Sequence, residues 1–143
     1  MTMVQKTTVA FLIAFNSFGA YSQTWTHAIF PNGTDSSYEY QPASIVNFEE
    51  YGRSGLFKVW TKNVQPKITL LGKKYKNIPT KILWAFDCVN KQYRFLNIIY
   101  YNSRGGVVQS AKDGPWEDVV PDSIGDELLM FFCQLSDGKA RGN

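Results

Sequence analysis

The sequence predicts an α+β domain, an antiparallel β-meander with a C-terminal α-helix packed on one face and tethered there by a disulfide. Three observations lead to this fold. Between Trp25 and Val120, short runs rich in aromatic and β-branched residues alternate with turns of Gly, Pro, Asn and Asp. A helical pattern follows only after Pro121. The two cysteines, Cys88 and Cys133, stand at the end of one strand-like run and near the end of that helix.

The N-terminus reads as an export signal. Lys6 is the only charge in residues 1–30. The apolar run from Val9 to Phe15 follows it, and small residues end the segment at Ala20 and Ser22. Cleavage after Ser22 is expected, making residues 1–22 a signal peptide and residues 23–135 one domain, with a flexible tail over 136–143. The apolar run is shorter than the roughly 20 residues of a transmembrane helix. Gln23, not a cysteine, stands directly after the expected cleavage site, so there is no acceptor for an N-terminal lipid. The expectation is therefore an exported protein with no transmembrane or lipid anchor, either periplasmic or secreted to the surface.

Loss of Lys6 takes the formal net charge from +3 to +2, which gives no argument for a nucleic-acid partner. Hydrophobic residues make up 44% of the chain, and ten of them are Phe, which excludes a disordered class. In an exported chain two cysteines favour a structural disulfide over a zinc site, which needs further ligands. A Cys88–Cys133 bridge closes a loop of 45 residues. In the chain-entropy account that is worth about 4 kcal/mol.

Trp25–Phe30 reads as a first strand, closed by a turn at Pro31-Asn32-Gly33. Ser37–Tyr40 is a short second strand, and Ile45–Phe48 leads into the polar turn Glu49–Gly55. Leu56–Thr61 is a strand with aromatic and branched side chains. Lys62–Pro79 reads as a long loop, with room for a short extended piece at Ile68-Thr69-Leu70-Leu71, because Pro66, Gly72 and Pro79 interrupt it among five lysines. Thr80–Cys88 and Gln92–Asn102 form a hairpin around Val89-Asn90-Lys91. Val107–Ser110 and Trp116–Val120 complete the meander.

Ser123 or Asp122 is positioned to cap a helix from Ile124, with Asp126 in its first turn. Ile124, Leu128, Phe131 and Phe132 form an apolar stripe, and the helix should end near Cys133–Leu135. Alternation places Ile82, Trp84, Phe86 and Cys88 on one sheet face, the floor for that stripe. Gln92–Asn102 is apolar on both faces. Either the sheet curls over itself, or a partner such as a second copy in a homodimer covers the second face.

Nothing in the chain forms a recognisable catalytic, cofactor or metal motif. His27 is the sole histidine, and both cysteines are committed to each other. The four tryptophans fall on predicted strands, where core packing is the expected role. One charge cluster stands out, Lys73, Lys74 and Lys76 around Tyr75. It reads either as a solvated loop or as a docking patch for polyanions or acidic protein segments.

A set of ordered motifs resembles the surface-adhesin protein E family of Gram-negative bacteria. They are Trp25, then Tyr38-Glu39-Tyr40-Gln41-Pro42 with Ser44-Ile45, Val59-Trp60, Phe86-Asp87-Cys88 and Tyr93-Arg94. Trp116, Pro121-Asp122-Ser123-Ile124-Gly125 and Cys133 close the pattern. Gln41 stands where the family usually has an aspartate. The resemblance implies a sheet with a disulfide-tethered helix. It also implies a binding role, since the founding member is an outer-membrane lipoprotein that binds host matrix and serum proteins and can dimerise. This chain departs from it in having no lipidation cysteine directly after the signal. The leading expectation is a non-enzymatic exported domain that binds a protein. The alternative is a small periplasmic enzyme or ligand-binding protein with a cleft beside the sheet.

Overall fold

The computed structural model describes residues 24–30 and 37–141; the expected signal segment, the Pro31-Asn32-Gly33 turn and the last two residues lie outside them. The described residues form an eight-stranded antiparallel sheet and a C-terminal helix, as expected. Strands β3 (Val46–Glu50), β4 (Arg53–Leu70), β5 (Lys73–Asp87), β6 (Gln92–Tyr101) and β7 (Val107–Lys112) follow one another as a meander. Beside β3, the short strands β1 (Thr26–His27) and β2 (Glu39–Tyr40) continue the sheet from β4. At the other edge β8 (Glu117–Asp118) pairs with the start of β6.

The largest departure from the sequence reading is the segment Lys62–Pro79, which is strand, not loop. Fourteen residue pairs run from Leu56↔Asp87 to Leu70↔Lys73 with one interruption, at Pro66 and Asn77. The prolines are tolerated because past Lys62 and Thr80 these two strands pair only with each other, so each has a free edge. Asn77 relieves the gap with φ of 52°. The hairpin turns on Leu71-Gly72, both with positive φ (49° and 75°), the geometry of a two-residue turn matched to strand twist. A two-stranded ribbon thus stands about 20–25 Å beyond the sheet, at roughly 3.3 Å per residue.

The helix α1 (Ile124–Arg141) continues past Cys133 through most of the segment expected as a tail. Its start is capped from both sides. Ser123 Oγ accepts from the Asp126 N–H at 3.3 Å, and Asp126 Oδ2 accepts from the Asp122 N–H at 3.1 Å. Trp84, Phe86 and Cys88 lie in the floor as expected, whereas Ile82 is buried outside the cluster that meets the helix. Phe57, Val59, Trp84, Phe86 and Tyr40 meet Leu128, Leu129, Phe131 and Phe132, with Phe86 and Phe132 ring centroids 5.5 Å apart. Ile124 does not join this stripe and is 48% exposed, because the chain is still entering the helix there; Leu129 takes a place in the core instead. The Cys88–Cys133 disulfide closes one end of the interface.

Gly125 explains why the closing motif carries glycine. Tyr93 packs directly over it, and a Cβ at that position would lie 2.8 Å from the ring edge. The helix can approach β6 this closely only without a side chain there.

Candidate binding surfaces

Asp87 is fully buried and organises the turn that presents Cys88. Its Oδ1 accepts from the Val89 and Asn90 N–H groups (3.0 and 2.9 Å), and Oδ2 accepts from Asn90 Nδ2 (2.8 Å) and from Arg53. Burial pushes the carboxyl upward. The hydrogen bonds from the Asn90 backbone and side chain, and then Arg53, outweigh it and hold the group below its usual range.

Arg53 also donates to Gln92 Oε1 at 2.7 Å and lies over the Trp116 ring, 4.5 Å from its centroid. Arg94 covers the same ring at 5.2 Å and donates to Glu50 Oε1 at 2.6 Å, while Trp116 Nε1–H donates to Glu50 Oε2 at 3.2 Å. Residues of three separate sequence motifs, Asp87, Arg94 and Trp116, are therefore linked in one network through Arg53 and Glu50. The segment carrying Trp116 is pinned along β6, where Asp113 and Gly114 N–H groups bond to Leu96 and Phe95 carbonyls (3.1 and 2.9 Å). This network covers part of the second sheet face with the chain's own residues.

The structure divides the tryptophans among three environments, correcting the expectation that all four pack the core. Trp84 packs against the core and donates to Thr61 Oγ1 at 3.0 Å. Trp116 is the arginine-clasped ring. Trp25 and Trp60 instead line a surface cleft of about 240 Å³ with Gln41, Lys81, Ile99 and Tyr101.

The sequence-predicted patch falls on the ribbon. Lys73, Lys74 and Lys76 are exposed and Tyr75 is half-buried, all on the returning strand. Register places Lys76 opposite Lys67 and Tyr75 opposite Ile68. Lys74 and Lys76 share one side of their strand, and Lys73 and Tyr75 share the other. Lys67, Ile68, Thr69, Lys74, Tyr75 and Lys76 enclose a shallow hollow of about 360 Å³. Lys67 was missed because the segment read as loop, and only a strand register makes it a neighbour of Lys76.

Elsewhere, His27 is exposed on β1. Among the described residues, no cluster of three or more His, Cys, Asp or Glu side chains is arranged to hold a metal ion. No helix among them is long and apolar enough to cross a membrane.

A helix bolted by a disulfide to one face of a meander defines a small α+β domain. The chain belongs to the surface-adhesin protein E family, whose model matches residues 25–134. Comparisons with curated proteins and with solved structures return no match. Membership supports an adhesin-like role at the cell surface or in an exported location.

Proposed function

We propose that this protein is an exported, non-enzymatic binding domain that docks an acidic protein surface through its β-ribbon. The observation that carries the reading is the ribbon itself. Lys67 and Lys76 face each other across the strands and Lys74 stands beside them, while Ile68 and Tyr75 pair on the ribbon's opposite face. Like charges directly opposite each other disfavour the ribbon, so their placement is accounted for by a role outside folding. Lysines also blunt the free edges against self-association, which keeps the ribbon available to a partner. The carboxylates of the Trp116 network are engaged by arginines, which fits structural service rather than proton transfer.

The test is binding to an acidic probe protein at low and physiological salt, with Lys67, Lys74 and Lys76 replaced by Gln together. Exposed charges are screened over about 8–10 Å at physiological ionic strength. The native protein should bind more weakly as salt rises, and the triple variant should lose most of the low-salt affinity through a slower on-rate. A variant indistinguishable from native would return the lysines to edge protection alone. Light scattering in the same buffers reads a second copy as a doubled mass.

A further inference from the structure

We propose that the cleft between Trp25, Trp60 and Tyr101 is a separate binding site for an acidic sugar unit. It is independent of the ribbon. Two of the strands that form it bring two ammonium groups together: Glu39↔Lys62, Lys62↔Lys81 and Lys81↔Ile99 are successive partners across β2, β4, β5 and β6. Lys62 is neutralised by Glu39 at 3.1 Å. Lys81 has no carboxylate partner among the described residues. Its ammonium instead lies against two aromatic faces, 5.7 Å from the Trp25 ring and 5.6 Å from that of Tyr101. Lys62 lies 4.9 Å from the same Trp25 ring.

This is a cation held at the rim of an aromatic hollow, with the neighbouring Glu39 carboxylate paired to Lys62 instead. Aromatic faces pack against the C–H face of a sugar ring, Lys81 donates to a carboxylate, and Gln41 offers both a donor and an acceptor to hydroxyls. The volume of about 240 Å³ is below the roughly 300–1,000 Å³ of drug-sized sites and suits one ring.

A second hollow of about 210 Å³ adjoins it and shares Lys81 and Tyr101. Glu39 also lines this second hollow, with its carboxylate engaged by Lys62. The two hollows together fit two consecutive rings, a disaccharide with at least one carboxylate.

The experiment titrates an unsulfated uronic-acid disaccharide and its neutral counterpart into the folded protein, following tryptophan fluorescence and amide NMR shifts. The acidic sugar should bind about tenfold more tightly, the effect of one charge-assisted contact. Lys81→Gln should remove that preference while leaving the neutral sugar's weak binding in place. Tyr101→Leu should weaken both sugars, and Trp25→Ala, at the sheet edge, repeats the test if Tyr101→Leu perturbs the fold. At physiological salt, where all these titrations are run, the ribbon triple variant should bind the disaccharide as the native protein does. Equal affinity for the two sugars, no saturable binding, or loss of binding in the ribbon variant would each overturn the assignment.

Discussion

Replacing Cys88 and Cys133 together by alanine opens a loop of 45 residues. The chain-entropy account values that closure at about 4 kcal/mol, and native small domains lose about 2–5 kcal/mol with such a bridge. Packing sets what remains. Leu128, Leu129 and Phe132 are all at or below 5% exposure, and each such side chain contributes about 1.5–3 kcal/mol on full burial. The helix should therefore stay docked at neutral pH in the double variant, with stability lower by about 3 kcal/mol. With about 2.1 cal/mol/K of unfolding entropy per residue over roughly 110 residues, that is a fall in Tm of about 10–15 °C. Calorimetry and urea titration read the loss, and hydrogen exchange of the helix amides reads whether docking survives. A loss under about 1 kcal/mol would refute the reasoning, because the bridge would then contribute little beyond packing. Undocked helix amides in an otherwise folded protein would refute the packing half.

Three further outcomes follow from the core and the network. Gly125→Ala should destabilise by about 1–3 kcal/mol despite a gain of about 1 kcal/mol in helix propensity, because its Cβ meets the Tyr93 ring at 2.8 Å; a raised Tm would contradict this. Arg94→Ala should cost about 1–3 kcal/mol by leaving Glu50 without its partner, and Arg94→Lys should rescue little, since a compact ammonium cannot both cover Trp116 and reach Glu50 as the guanidinium does. Asp87 has a depressed folded-state pKa, so its contribution is present above the unfolded value of about 3.9 and is lost as pH falls below it through the folded value. Asp87→Asn should flatten urea-midpoint curves in that acid range, and an unchanged slope would remove Asp87 from the acid response.

The helix, its floor and the disulfide were legible because each rests on a local pattern. Trp84 and Phe86 alternate with Cys88, Leu128 and Phe132 lie at helical spacing, and Ser123 precedes the first turn. The ribbon was not legible, for a physical reason. Pro66 and Pro79 argue against a strand within a sheet, but a two-stranded ribbon has free edges throughout, and proline's missing N–H is tolerated there. Its length also hid the turn, since Leu71-Gly72 has no Asn-Gly or Asp-Gly signature. The Trp116 network and the aromatic cleft were hidden differently. Glu50 and Trp116 are 66 residues apart, and Lys62 meets Lys81 only through the β4–β5 register. Motif order in the chain announces such residues without saying which of them touch.

The cleft and the ribbon lie on the same two strands, and that bears on whether their functions can be separated. Lys62↔Lys81 and Lys67↔Lys76 are cross-strand pairs five residues apart along β4. At roughly 3.3 Å per residue the separation is about 16 Å. That exceeds the screening length of about 8 Å at physiological salt but lies within the about 30 Å that applies at 0.01 M. The two surfaces should therefore act as electrically independent sites under physiological conditions and as one cationic field in dilute buffer. Replacing Lys67, Lys74 and Lys76 by Gln should leave disaccharide affinity at the cleft unchanged at physiological salt. In dilute buffer the same substitutions should weaken it measurably, because a distant positive field is lost. Binding titrations at the two salt concentrations check this directly. A ribbon effect of equal size at both would mean that the lysines reach the cleft through structure rather than through charge, and the separation of the two sites would fail.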